Sequence, residues 1–181
     1  RNDCSTGPDS ATLNSKHKER GSVRMGKLAI GQVAPDFALA NQDGNVVRLA
    51  DFSGQKLVIY FYPKDNTPGC SREAEGFRDL HDDIIAAGAQ VVGISKDSAS
   101  SHAKFRSKLQ LPFDLLSDPE HSVLEAYGAW GAKTMYGKTS EGTIRSTAIV
   151  DEEGRVAAVF PKVKPDGHAQ DVLTALANLS D

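Results

Sequence analysis

The segment Tyr62-Pro63-Lys64-Asp65-Asn66-Thr67-Pro68-Gly69-Cys70-Ser71-Arg72-Glu73 holds the residues best suited to chemistry. Pro68 suits the first position of a helix, where its missing N–H would be unpaired anyway. Thr67 then reads as the N-cap, and Cys70 falls where a capping box usually places a carboxylate. An anion there meets unpaired backbone N–H groups and the positive end of the helix dipole. The same surroundings favour a thiolate over a thiol. A buried structural cysteine is the bland reading. Polar and small neighbours, the first-turn position and the Thr67 hydroxyl one turn away weigh against it. Such a thiolate can exchange disulfides or reduce a peroxide. Thr67 and Glu73 occupy the positions three residues to either side of Cys70, so no CxxC pair exists, which argues against dithiol exchange.

The flanking pattern supplies elements to position that thiolate. Lys56–Tyr62 (KLVIYFY) is a continuous apolar, β-rich run that reads as a strand buried on both faces. Pro68–Ala87 shows helical spacing at Phe77, Leu80, Ile84 and Ile85 and ends at Gly88. Ala89–Ile94 reads as a second buried strand, completing a βαβ unit. Asp36–Leu39 and Val46–Leu49 flank Asn41–Asn45 as a hairpin. Ala99–Leu109 is expected as a helix, Phe113–Leu116 as a strand and Pro119–Tyr127 as a helix. Thr143–Val150 and Arg155–Phe160 bracket a turn, and His168–Leu179 closes the chain as an amphipathic helix. The pattern predicts an α/β protein: a central mixed β-sheet flanked by helices, with an N-terminal β-hairpin, the thioredoxin-like layout. Ligands of open sheets bind at the carboxyl ends of strands, where Cys70 falls.

The chain has 181 residues, 39% apolar and 25% charged, with a net charge of −3. At ~150 residues per domain that is one domain, with no global charge to draw it to nucleic acid or an anionic membrane. The longest apolar runs are short stretches such as Leu57–Tyr62, far below a membrane span. Two cysteines, Cys4 and Cys70, exclude a disulfide scaffold and a four-cysteine metal site. Residues 1–24 carry five basic and three acidic side chains, +2, which leaves −5 for the rest. They lack any periodic pattern and read as a leader or extension ahead of a domain over 25–181, either vector-derived or the remnant of a transit peptide.

PKDNTPGC resembles the peroxiredoxin motif Pro-x-x-x-Thr-x-x-Cys, and the likeness is closest to the peroxiredoxin Q (bacterioferritin comigratory protein) subfamily. It continues through SREAEGFRDL, VVGISKDS, SHAKF, LPFDLLSDP, WGAKTMYGKT, GTIRSTAIVDEEG and VKPDGHAQDVL, covering Lys27 to Leu179. The resemblance implies a thioredoxin-like fold that reduces hydrogen peroxide and organic hydroperoxides with no metal or organic cofactor. It makes Cys70 the peroxidatic cysteine, whose thiolate attacks the distal peroxide oxygen and becomes a sulfenic acid. Thr67 matches the motif threonine, which hydrogen-bonds thiolate and peroxide, and Pro63 the proline that shields the sulfur. Arg145 matches the active-site arginine, which holds the thiolate charged and polarises the peroxide. The backbone N–H groups of Gly69 and Cys70 are expected to act the same way, and Glu73 to orient Arg145. Without the family, Arg145 would pass for a solvated side chain.

One departure stands out. Many members of the subfamily carry a resolving cysteine five residues after the peroxidatic one, and here Glu75 stands there. Others place it in the following helix, but Ser98–Lys108 has none and Arg106 lies near the expected spot. Cys4 is the only other thiol. A one-cysteine mechanism follows, with the sulfenic acid reduced by an external thiol from thioredoxin, glutaredoxin or glutathione. The competing reading is a redox sensor or binding protein that relays oxidation to a partner through a mixed disulfide. Trp130, Met135 and Tyr136 read as core and Lys133–Lys138 as solvated surface. His81, His102, His121 and His168 have no partner at ligand spacing, so no metal is assigned, and His168 has no evident chemical role. The expected state is a monomer in a reducing compartment: the bacterial cytoplasm, or a plastid if the leader is a transit remnant.

Overall fold

The computed structural model describes residues 24–180. Cys4 and the rest of the segment read as a leader, apart from Arg24, lie outside the described residues. Lys56–Tyr62 is buried throughout. Its strand, Lys56–Phe61, points Leu57, Ile59 and Phe61 into one core layer and Val58 and Tyr60 into the other, the period of two that a pleated strand imposes.

The elements run β1 (Arg24–Met25), β2 (Leu28–Ala29), β3 (Ala38–Asn41), β4 (Val46–Arg48), β5 (Lys56–Phe61), α1 (Pro68–Asp79), α2 (His81–Ala86), β6 (Ala89–Ser95), α3 (Ala99–Leu109), β7 (Asp114–Ser117), α4 (Ser122–Ala126), β8 (Trp130–Met135), β9 (Lys138–Thr143), β10 (Ser146–Val150), β11 (Val156–Phe160) and α5 (His168–Leu179). Seven strands form one sheet in the order β11-β10-β5-β6-β7-β3-β4, with β5-β6 and β6-β7 parallel and the other pairs antiparallel. This is the mixed thioredoxin-like sheet, and the hairpin expected near Asn41–Asn45 forms as β3 and β4. A smaller hairpin, β1 with β2, precedes it.

On one face of the sheet, Cys70, Ala74 and Phe77 of α1 and Ala169, Val172 and Leu176 of α5 bury into a single layer. Their helical spacing is what turns one stripe of each helix toward the sheet. On the other face, Met25 is fully buried beside Leu124, Tyr127 and Phe61. Its carbonyl runs so close to Gly128 (φ +71°) that a Cβ there would sit 2.2 Å from the Met25 oxygen.

Several expectations change. The helix expected over Pro68–Ala87 is two, parted at Leu80 (φ −101°, ψ 8°). Hydrogen bonds from Leu80 N–H to the Gly76 carbonyl and from Ile84 N–H to the Leu80 carbonyl continue across the bend, so the apolar period carries no trace of it. The helix expected over Pro119–Tyr127 shortens to α4, because His121 at φ 51° breaks it. The strand expected over Thr143–Val150 also divides: Thr143 ends β9, and β10 starts at Ser146. Lys133–Lys138, read as solvated surface, is exposed at Thr134 and Tyr136–Lys138 and half-buried at Lys133, and it lies in the β8–β9 hairpin. Tyr136 and Gly137, both at positive φ, form its turn, as hairpin turns of the primed type require. The hairpin has no buried face along Lys138–Glu141, so no alternation marks it in sequence. Tyr136 is 98% exposed at its tip rather than core. Trp130 is partly buried and stacks on His121, ring centres 4.0 Å apart.

Under α1, the Tyr60 ring stacks on Phe77 and faces Gly93 of β6. A Cβ at Gly93 would lie 2.7 Å from the Tyr60 ring and 2.9 Å from Leu115. Gly93→Ala is therefore expected to destabilise the fold by about 1–3 kcal/mol through overpacking. Urea denaturation of the variant against the parent measures it, and an unchanged midpoint would contradict this packing.

Candidate active site

The turn from β5 into α1 places Cys70. Thr67 is the N-cap in extended conformation (φ −94°, ψ 154°) and Pro68 the first helical residue. The Gly69 and Cys70 amides, in the first turn, have no hydrogen-bond acceptor among the described residues. They therefore point unpaired at any anion near the sulfur. The Thr67 hydroxyl does not cap the helix as expected. It donates instead to the Lys64 carbonyl at 2.9 Å, which commits its hydrogen and leaves its lone pairs to accept one.

Cys70 is 1% exposed. Arg145, between β9 and β10, donates from Nη2 to Cys70 Sγ at 3.3 Å and from Nη1 to Glu73 Oε1 at 3.3 Å. Its backbone is tied down on both sides: Ile144 N–H bonds the Ala129 carbonyl at 2.7 Å, and Val163 N–H bonds the Arg145 carbonyl at 3.0 Å. These ties are why the expected long strand divides here. The guanidinium approaches α1 closely because Gly69 lacks a side chain: a Cβ there would lie 3.2 Å from Arg145 Nη2 and 3.3 Å from Pro165. Burial raises the Glu73 carboxyl to about 7, and Arg145 only partly offsets it. Glu73 thus steadies the guanidinium without fully neutralising it.

Pro63, Ala132, Lys133, Ile144, Arg145 and Val163 line a cleft of about 590 Å³ at this point. The structure brings Cys70, Arg145 and Glu73 into contact, sets Gly69 against the guanidinium, and places Pro63 with Arg145 on the cleft wall. Thr67 sits at the helix start with its hydroxyl hydrogen turned to Lys64.

Sequence reasoning missed three neighbours. Lys133 on the hairpin is half-buried, and its amine is lowered by burial and by Arg145, with Cys70 opposing. Pro165 closes on Gly69 from the β11–α5 connection. His168 is buried, bonded to Thr147 Oγ1 at 2.7 Å and set edge-on to Phe77 and Phe160. Burial lowers it to about 4, with Asp171 opposing and Arg145 adding to the shift, so it is neutral near pH 7. Only a three-dimensional arrangement marks these residues, since none stands at a motif spacing.

Among the described residues no group of three His, Cys, Asp or Glu side chains is arranged to hold a metal, and no helix is long and apolar enough to cross a membrane. The AhpC/TSA family model matches residues 30–159. The chain belongs to this family of peroxiredoxins. Its relatives include the Coxiella burnetii protein named as a peroxiredoxin bcp, 48% identical over 149 residues that span 82% of this chain and 99% of the relative. Peroxiredoxin Bcp of Bacillus subtilis is 44% identical over 154 residues, covering 85% of this chain and 98% of its own. Among solved structures, the bacterioferritin comigratory protein of Xanthomonas campestris superposes with a TM-score of 0.79 at 38% identity, over 86% of this chain and 99% of that one. The peroxiredoxin is a thiol-dependent peroxidase, acting on a hydroperoxide with electrons from a thiol. These likenesses do not favour the redox-sensor reading.

The Glu73 carboxyl gives a pH signature. Its folded value of about 7 lies above the ordinary 4.5, so the folded state binds a proton that the unfolded chain has released. The stability it confers is complete below pH 4.5 and is lost as pH rises through about 7, a span worth about 3 kcal/mol. Glu73→Gln is expected to flatten that decline. Chemical denaturation at pH 4.5, 6 and 7.5 checks it, and parallel pH profiles for variant and parent would contradict it.

Proposed function

We propose that this peroxiredoxin reduces hydrogen peroxide and organic hydroperoxides by a one-cysteine mechanism centred on Cys70. The Cys70 thiolate attacks the distal peroxide oxygen. The S–O bond forms as the O–O bond breaks, the alkoxide or hydroxide leaves with a proton as alcohol or water, and Cys70 becomes a sulfenic acid. The observation that carries this is the 3.3 Å contact from Arg145 Nη2 to Cys70 Sγ. A donor fixed there holds the sulfur charged and faces the oxygen onto which charge moves. Gly69 and Cys70 amides add to the same field. Thr67 accepts a hydrogen from the peroxide through its free lone pairs and so orients it, while Pro63 walls the sulfur from bulk water. Glu73 positions Arg145.

An external thiol completes the cycle. Its thiolate attacks Cys70 sulfur, hydroxide leaves as water, and a mixed disulfide forms that a second thiol resolves. Cys70 is the free cysteine among the described residues. Glu75 stands on α1 where many relatives resolve, and Arg106 on α3 is occupied with the Phe113 carbonyl at 3.0 Å. Thioredoxin, glutaredoxin and glutathione all fit the role of reductant. A recycling thiol needs a reducing compartment, for which the bacterial cytoplasm is our reading and a plastid the alternative. Of the large exposed apolar side chains, Val46, Ile85, Tyr136 and Leu179 belong to different elements and Ile30 and Val33 to one short segment, which supports a monomer. We read the peroxiredoxin domain as 25–181, with the buried Met25 in its core.

Arg145→Lys is expected to lower the second-order rate constant with hydrogen peroxide by about 100-fold, because an ammonium cannot bridge Sγ and Glu73 as the guanidinium fork does. Competition kinetics against a reporter peroxidase measures it, and a loss under threefold would overturn the assignment.

A further inference from the structure

The two half-reactions bring different charges to Cys70. A hydroperoxide arrives neutral, and the Arg145 contact serves its attack. A reducing thiol arrives as a thiolate, an anion. The cleft at Cys70 carries more positive charge than the first half-reaction uses.

Besides Arg145, Lys133 and Lys162 line this cleft of about 590 Å³, and no carboxylate does. Its remaining walls are mainly apolar, with Pro63, Ile144 and Val163 among them. Two segments distant in sequence supply the lysines. Lys133 stands on β8, and its stem passes over Gly142 of β9, its Cδ 3.6 Å from where a Cβ of that glycine would lie. Lys162 follows β11, and the hydrogen bond from Val163 N–H to the Arg145 carbonyl at 3.0 Å ties that segment to the site. The ion pairs among the described residues include neither lysine. Arg145 commits its fork to Sγ and Glu73. Burial and Arg145 both push the Lys133 amine down, with Cys70 opposing. Cations gathered without a counter-charge disfavour one another, so the fold alone gains nothing from them. A cleft lined by one sign of charge instead concentrates the opposite sign.

The shape of the site narrows the choice of anion. Concave sites of roughly 300–1,000 Å³ hold small molecules, whereas protein partners dock across broad surfaces. A small thiol with carboxylates of its own matches both the charge and the volume. Its sulfur would meet Cys70 while a carboxylate meets the lysines and its stem lies along the apolar walls.

We propose that Lys133 and Lys162 form a carboxylate-binding subsite in this cleft that selects a small anionic thiol as the reductant of oxidised Cys70. The proposal rests on the one-cysteine reading above and narrows its reductant. With the carboxylate on the lysines, the thiolate attacks the sulfenic sulfur. The S–S bond forms as the S–O bond breaks, and hydroxide leaves with a proton as water. Cys70 sulfur is reduced and the incoming sulfur oxidised, and a second thiol then frees Cys70 from the mixed disulfide.

The test follows reduction alone by rapid-quench mass spectrometry, on the full chain carrying Cys4→Ser and oxidised with one equivalent of hydrogen peroxide. Glutathione, with its carboxylates, is compared with its diethyl ester, which keeps the thiol and loses those charges. Rate constants are taken per thiolate. The parent is expected to prefer glutathione about tenfold at about 20 mM salt and about twofold at about 500 mM, as screening shortens the reach of the lysines. Lys133→Gln and Lys162→Gln are each expected to lower the preference about threefold, and the double variant to abolish it. A lysine that only tuned the sulfur would slow both thiols alike. An unchanged ratio in the variants, or a parent without preference, would therefore overturn the proposal. A carboxylate preference confined to oxidation, read with linoleic acid hydroperoxide against its methyl ester, would assign the lysines to the peroxide and overturn it equally. If the Cys4→Ser parent forms no sulfenic acid with stoichiometric peroxide, the one-cysteine reading itself fails and this proposal with it.

Discussion

The contact between Arg145 and the Cys70 sulfur is the constraint around which the rest of the molecule is arranged. The two residues are 75 positions apart, so no local structure can bring them together. The path runs through the sheet. β5 delivers Cys70 at its carboxyl end, and β10 pairs directly with β5, which sets Arg145 one residue before the strand that lies alongside. Ser146 opposite Phe61 fixes that register. A slip of one residue would turn every side chain of β10 to the wrong face, and both faces of this strand are buried.

Electrostatics explains why a carboxyl can share the guanidinium with the Cys70 sulfur. A fully ionised Glu73 would compete with the sulfur for the positive charge. Burial raises it to about 7, so its negative charge is withheld for part of the time while its hydrogen-bonding oxygen stays in place. Gly69 contributes by what it lacks, since a Cβ there would lie 3.2 Å from Arg145 Nη2 and crowd the guanidinium at the helix terminus. Unpaired amides, guanidinium and half-buried Lys133 together leave the sulfur in a positive field within an otherwise acidic protein.

Much of this was legible in the sequence, for physical reasons. Strands buried on both faces write continuous apolar runs, and Lys56–Tyr62 and Ala89–Ile94 were read as β5 and β6 nearly to the residue. A proline that starts a helix and a cysteine in its first turn are local facts, and so was the placement of Cys70. The β8–β9 hairpin left no mark because it is solvated along most of its length, so neither Lys133 beside the site nor the exposure of Tyr136 was foreseen. The direction of the Thr67 hydroxyl depends on the Lys64 carbonyl, a turn geometry that no residue type specifies. Asp65 and His102, in contact at 2.7 Å, are 37 positions apart, and His102 looked inert because its partner is a carboxylate rather than a metal-ligand set.

The measurement that bears most directly on the central claim is the intact mass of the full chain after one equivalent of hydrogen peroxide with no thiol present. One-cysteine chemistry requires a gain of one oxygen atom, located at Cys70 by fragmentation and removed by a thiol, with no disulfide formed. A loss of two hydrogens, linking Cys70 to Cys4, would contradict the one-cysteine mechanism, and an unchanged mass would contradict peroxidatic chemistry at Cys70 altogether.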